Sequence, residues 1–244
     1  MTQLHRAETR LKSIQRQNMG QHAKKAPKAV ERTPERRKSG ILAVVMGHVL
    51  NRATEPATEA EATTAVRTLL SYIGEDPDRE GLKETPRRVV KAWDELTQGY
   101  GQDPATILAT DFDGAGYDEM VVCRNMEFVS VCEHHLLPFL GVAHVAYVPR
   151  TRVVGLSKMG RLVDCFARRL QIQEKMTQEI AEAMRQHLNP RGVGVTIIAK
   201  HLCMACRGVR KQQSEMVTSC LLGVFKAPAV RAEFFNHCRN GGHG

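Results

Sequence analysis

The spacing of hydrophobic and polar positions changes character along this chain. From about residue 61, Val66, Leu69, Leu70 and Ile73 recur at helical spacing with Gly74 just beyond, which predicts an amphipathic helix and its stop. Thr85-Pro86 has the form of an N-cap followed by proline in the first turn. It predicts a second helix that buries Val89, Val90, Trp93 and Leu96 and ends at Gly99. Asp103-Pro104 predicts a short helical turn, and the Asp/Gly-rich run 111–118 a loop. Residues 120–131 and 140–148 are rich in β-branched residues and predict two strands. After a turn at Pro149 to Arg152, Ser157 is the expected N-cap of a helix with Met159, Leu162, Val163, Phe166 and Leu170 on one stripe. A second long helix buries Ile172, Met176, Ile180, Ala183 and Met184 and stops at Asn189-Pro190. Residues 193–199 and 216–225 predict two more strands, and Pro228 opens a C-terminal helix. Helices, two strands, two helices and two strands, with hairpin-like partners, predict an α+β domain on an antiparallel sheet.

The first 60 residues follow neither period. Residues 1–40 are rich in Gln, Lys and Arg, carry Pro27 and Pro34, and have few large apolar groups, so burial cannot offset their ordering entropy. They are expected to form a flexible basic arm, and 41–60 a linker, ahead of a domain over 61–244. The net charge of +9 then changes meaning: 1–40 hold 11 Lys/Arg against 3 Asp/Glu, while 61–244 hold 23 against 21. The basicity belongs to the arm and says little about what the body binds. At 244 residues, 42% hydrophobic and 25% charged, the chain can bury a sizeable core. Seven cysteines are too few, and odd in number, for a disulfide scaffold. The longest apolar run, Ile41 to Met46, cannot span a bilayer. A cytoplasmic location is expected.

Candidate chemistry sits at two clusters. Cys132-Glu133-His134-His135 lies between the first two strands, and His201-Leu202-Cys203-Met204-Ala205-Cys206 follows the third. Cys132 and His135, three apart, can converge on one ion from a helical turn or tight loop, and strand alternation would put His201 and Cys203 on one side. Two Cys and one His favour zinc with an open fourth position, which is a catalytic arrangement. His134 and His201 would then stand free as proton carriers. Cys206 is the alternative: as a fourth ligand it would close the site and make it structural. The remaining cysteines, Cys123, Cys165, Cys220 and Cys238, are expected to be small buried hydrophobes.

A third cluster is cationic. Ser157, Lys158 and Arg161 fall in the first turns of a predicted helix, where free N–H groups favour an anion. Arg207-Gly208 follows the second ligand cluster, and Arg88 and Lys91 lie on another helix. Each alone is an ordinary surface charge; together they suggest a polyphosphate.

These residues resemble GTP cyclohydrolase I. The resemblance is carried by SVCEHHLLPF (130–139), VVGLSKMGRLVDCFARRLQIQEKMT (153–177), HLCMACRGV (201–209), VTSCLLGVF (217–225) and, more loosely, TPRRVVK (85–91), and it extends over roughly residues 60–240. It implies a tunnelling fold, with an antiparallel four-stranded sheet and two long helices per subunit and N-terminal helices preceding them. It implies a homodecamer of two stacked pentamers with active sites between subunits. It implies zinc on Cys132, His135 and Cys203, and His134 and His201 as catalytic residues. GTP would be held by Glu174 and Gln173 at the guanine and by Ser157, Lys158, Arg161, Arg207 and Lys91 at the triphosphate. The implied reaction hydrolyses the guanine ring at C8, releases formate and forms 7,8-dihydroneopterin triphosphate, the first step of pterin (folate or tetrahydrobiopterin) biosynthesis. No membrane or nucleic-acid partner is expected from it. The sequence departs from the family at Val142, Gly160 and Cys206, where Lys, Ala and an apolar residue are usual. A competing reading, a zinc-stabilised nucleic-acid-binding module using the basic arm, predicts a closed site with Cys206 as ligand.

Overall fold

The structure is a computed structural model that describes residues 56–239; the expected arm and most of the linker lie outside the described residues. Helix α1 (Glu59–Tyr72) starts two residues earlier than the apolar pattern suggests. The reason is a capping box: Glu61 N–H donates to Thr58 Oγ1 and Thr58 N–H donates to the Glu61 carboxylate. Helix α2 spans Thr85–Thr97. Its N-cap is Glu84, not Thr85, and makes no side-chain cap. Neither helix is buried as its periodicity implied. No residue of α1 is buried and Pro86 alone is buried in α2, while Leu69, Tyr72 and Ile73 stay mostly exposed.

Gly99 does not end the helical path, which continues as a 3-10 turn over Gln98–Gly101. Glycine is required there for another reason. A Cβ would lie 2.4 Å from the Cys165 carbonyl oxygen, and the Gly99 N–H donates to Arg168 O. Helix α3 (Pro104–Leu108) is capped by Asp103, as expected. The predicted loop at 111–118 instead begins with a short strand, β1 (Asp111–Asp113).

The long strands are β2 (Val121–Cys132) and β3 (Pro138–Val148). After them come β4 (Arg152–Val154), α4 (Leu156–Ala167), β5 (Leu170–Gln171) and α5 (Gln173–Leu188). The chain finishes with β6 (Gly192–His201), α6 (Leu202–Ala205), β7 (Met216–Gly223) and α7 (Pro228–Arg239). Strands β1 and β4 form a separate antiparallel ribbon. The main sheet has five strands, not four, in the order β5-β2-β3-β6-β7. The fifth is the two-residue β5, parallel to β2, which absorbs Leu170 from the expected helical stripe. All other neighbours are antiparallel. The fold is therefore α+β on a mixed, mainly antiparallel sheet.

The core lies between one sheet face and α4 and α5, where Phe139, Val145 and Tyr147 meet Leu162, Met176 and Ile180. On the other face, α7 covers one end through Phe234, which packs with Phe225, Ala146 and Val148. The rest of that face leaves Val129, Leu140 and Val217 exposed. Among the described residues, no helix is long and apolar enough to cross a membrane.

This topology gives the sheet two distinct ends. Strand β3 has 11 residues, roughly 35 Å at the rise of an extended chain. One end holds Cys132, Pro138 and His201; the other holds Val121, Tyr147 and Gly192. Helix α4 starts at the second end, where the Val154 N–H donates to the Tyr147 hydroxyl at 2.9 Å. It runs back to the first end, where Leu170 pairs with Val131. Helix α5 starts at the first end and returns to the second, where Asn189 adopts a left-handed φ of 45° as its C-cap.

Candidate active site

Cys132 is the last residue of β2, and the chain curls tightly after it. The Leu136 N–H donates to Cys132 O and the Cys132 N–H to Leu137 O, both at 2.9 Å, with Leu136 at φ 54°. The curl brings His135 Nδ1 to 3.7 Å and His134 Nδ1 to 4.0 Å from the buried Cys132 sulfur. The second cluster arrives differently from the alternation expected of a strand. Strand β6 ends at His201, and Cys203 sits one step into the helical turn α6. Even so, the ligand atoms of Cys132, His135 and Cys203 all lie within 4.8 Å of one another.

That group could hold a metal ion. Tetrahedral coordination with sulfur at about 2.3 Å and nitrogen at about 2.0 Å separates neighbouring ligand atoms by roughly 3.5 to 3.8 Å, and the Cys132–His135 spacing already falls there. Burial and the adjacent Cys132 sulfur push the Cys203 thiol up, while Arg207 pulls it down. Cys206 is exposed and is not in the group. The other cysteines are not reactive in character: Cys165 is buried, Cys123 and Cys220 are half-buried, and burial pushes Cys238 up to about 11.

His201 is held between two partners. Its ring stacks on the buried Phe139 ring, with planes 3° apart and centroids at 4.5 Å. Its Nε2 lies 2.9 Å from Gln173 Oε1. Burial lowers its pKa, and the carboxylate of Glu174 acts in the opposite direction. Glu174 is exposed in the first turn of α5 and so stands at the same end of the sheet as the ligand group.

Gln173, expected at the guanine, is 1% exposed. Its amide nitrogen lies 3.0 to 3.1 Å from Ile197 O, Met216 O and Thr218 Oγ1, three acceptors that share its two N–H hydrogens. One residue along a helix turns the side chain by about 100°, which is why Glu174 faces out and Gln173 faces in. Arg207 is exposed just after α6, at the ligand end.

The remaining cationic residues are elsewhere. Ser157, Lys158 and Arg161 occupy the first half of α4, whose N-cap is Gly155 and not Ser157. Helix α4 has 12 residues, about 18 Å of axial rise, and its start is at the Tyr147 end of the sheet. Arg161 lines a cleft of about 260 Å³ with Gln98, Gln102 and Asp164. Lys91 is exposed in the middle of α2. One chain therefore gathers Cys132, His134, His135, Gln173, Glu174, His201, Cys203 and Arg207 at one end of the sheet, and leaves Ser157 and Lys158 at the other.

Phe139 and Thr218 were not singled out from the sequence. Both act through cross-strand neighbours, Phe139 opposite His201 and Thr218 opposite Ile197, and no local spacing announces such pairs.

Comparisons with known proteins identify the family. Residues 62–239 match the family described as GTP cyclohydrolase I. A GTP cyclohydrolase 1 from Wolinella succinogenes is 54% identical over 176 residues, covering 72% of this chain and 94% of that protein. Proteins of the same name from Brucella canis and Brucella suis are 56% identical over 172 residues, covering 70% of this chain and 81% of theirs. The chain belongs to the GTP cyclohydrolase I family and is an enzyme of that type.

Proposed function

We propose that the chain hydrolyses the guanine imidazole ring of GTP at C8 with zinc held by Cys132, His135 and Cys203. The products are formate and 7,8-dihydroneopterin triphosphate, with one water consumed overall. The observation that carries this reading is the convergence of those three ligand atoms within 4.8 Å, beside two further histidines. A bound zinc supplies the Lewis acidity that makes water nucleophilic near neutral pH. His134 and His201 accept and return protons as water adds at C8 and the ring nitrogen leaves. Glu174 accepts hydrogen bonds from the guanine N1–H and 2-amino group, donors that adenine does not offer. The opened intermediate rearranges at the ribose and recloses as the dihydropterin.

The triphosphate falls to Ser157, Lys158, Arg161, Arg207 and Lys91. Since Ser157 and Lys158 stand at the opposite end of the sheet from the ligand group, this assignment needs a second copy of the chain. The start of α4 in one copy meets the zinc end of another. Exposed apolar residues support such assembly: Leu69 on α1 and Ile73 at its C-cap, and Val129, Leu140 and Val217 on the sheet. A decamer of two stacked pentamers in the tunnelling fold is the form we infer, and light scattering measures it directly. We place the enzyme in the cytoplasm, at the entry to pterin biosynthesis, with residues 61–244 as its catalytic domain.

The decisive experiment is formate release from GTP by zinc-replete protein with a Cys203→Ala variant alongside. Equal amounts of formate and dihydropterin from the wild type, and neither from the variant, are expected. No formate from an intact, zinc-loaded assembly would overturn the reading.

A further inference from the structure

The strongest unassigned feature of this site is the environment of Gln173. Its amide nitrogen is surrounded by acceptors. Ile197 O and Met216 O are backbone carbonyls, which accept and never donate. The nitrogen must therefore face them, because the flipped amide would set its oxygen against two carbonyl oxygens. This fixes Oε1 toward His201 Nε2 at 2.9 Å. An amide oxygen also only accepts, so the hydrogen of that bond belongs to His201 Nε2. A neutral imidazole carries one N–H. Nδ1 of His201 is then the unprotonated nitrogen.

The surrounding hydroxyls agree on direction. Thr218 Oγ1 accepts from the Gln173 amide and donates to Thr177 Oγ1 at 2.7 Å. Thr177 in turn donates to the Gln173 backbone carbonyl at 2.7 Å. Each hydroxyl gives one hydrogen and takes one, and the loop closes on Gln173. Stacking on Phe139 fixes the plane of the imidazole in which this bond lies.

We infer that Gln173 is a positioning residue for His201 and not a reader of guanine. Held by Ile197, Met216 and Thr218, its carboxamide accepts from His201 Nε2–H and, with the Phe139 stack, fixes the orientation of the ring and so the direction in which its other nitrogen, Nδ1, points. This deepens the proposed reaction and rests on it. The role parallels the buried carboxylate that orients histidine in hydrolase triads, with a neutral amide in its place. Glu174 on the adjacent, outward face is left as the guanine contact.

The test compares Gln173→Met, Thr218→Val and Thr218→Ser with wild type, measuring zinc content, kcat and KM for GTP and for inosine triphosphate, which lacks the 2-amino group. Gln173→Met is expected to lower kcat by about 10- to 100-fold, part of the roughly 10²- to 10⁴-fold that a positioned acid–base group contributes. KM for GTP and the preference for GTP over inosine triphosphate should not move. Thr218→Val is expected to lower kcat several-fold, and Thr218→Ser, which keeps the hydroxyl, to restore it. A raised KM or an altered GTP preference in Gln173→Met, with kcat preserved, would put Gln173 at the guanine and overturn the inference. Should Gln173→Met lose its fold or its zinc, the Thr218 pair decides: unchanged kcat in Thr218→Val overturns the inference equally. Failure of the underlying reaction is seen separately, as a wild type that releases no formate.

Discussion

The two ends of the main sheet are built on the same strands but differ in what they finish. At the Cys132 end, the ligand group, two further histidines and Glu174 are brought together by a tight curl after β2, a single helical turn after β6 and the start of α5. At the Tyr147 end, the chain presents the start of a helix with Ser157 and Lys158, well away from the ligand group. The lesson concerns tolerance. A metal site demands ligand atoms placed to within a few tenths of an ångström, and a single chain here brings three candidate ligand atoms within 4.8 Å of one another from its own elements. Contacts to a triphosphate are longer-ranged and more forgiving, and on the proposed reading they are entrusted to an interface between copies.

The largest effect should come from breaking the Cys132 end. On the proposed reading Cys203→Ala removes one of three ligands and should lose the zinc and nearly all activity, since the metal supplies the nucleophile. Cys206→Ala, three residues along and exposed, should keep its zinc. Metal content by mass spectrometry separates the two. Zinc lost from Cys206→Ala instead would mean a closed, four-ligand site and would revive a structural role for it.

A second experiment tests the division between ends directly. His134→Ala should inactivate the zinc end, and Lys158→Ala should cripple the other. Co-expressed in one cell, each mutant assembly is nearly inactive alone, but a mixed assembly contains sites with an intact zinc end from one copy and an intact α4 from another. Random mixing makes such sites about one quarter of the total in a symmetric oligomer built from repeated contacts. Recovery near that fraction supports the shared site. No recovery, despite mixed assemblies shown by differential tags, would mean that one chain completes its own site.

The sequence made the ligand end easier to read than the framework around it. Cys132, His135 and Cys203 are identifiable because few residue types bind zinc, so their chemistry is visible without the fold. Their route to convergence is not visible in the same way. Cys203 reaches the group from a helical turn and not by strand alternation. What stayed hidden depends on distant pairing. Strand β1 exists because Asp111 to Asp113 meet β4 some 40 positions later, and β5 because two residues lie beside Val131 and Cys132. At Thr85 and Ser157 the residue types favour capping, but the backbone caps one and two residues earlier, at Glu84 and Gly155, without a side chain. Periodicity in α1 and α2 marked apolar faces correctly but not what covers them, since Leu69 and Tyr72 remain exposed. Gln173 and Glu174 form one pair in the sequence, whereas one helical step of about 100° turns Gln173 inward and Glu174 outward.

The smallest predicted effect discriminates between the ends most finely. Tyr147 is buried at the far end of β3, and its hydroxyl accepts the Val154 N–H at 2.9 Å. Val154 closes the β1–β4 ribbon, and α4 begins two residues later. Tyr147→Phe keeps the ring in the core but leaves that N–H without its acceptor, a loss of about 1 to 2 kcal/mol of folding stability. Denaturant unfolding should show the loss as a lower midpoint at an unchanged slope. The metal group lies most of the length of β3 away, so zinc content and kcat should hold. The start of α4, however, loses one of its anchors, and KM for GTP should rise a few-fold through Ser157 and Lys158. A fall in kcat or zinc content at equal folding would show that the ends are mechanically coupled through β3. A rise in KM alone would establish that the far end of each chain serves binding and leaves the proton chemistry untouched.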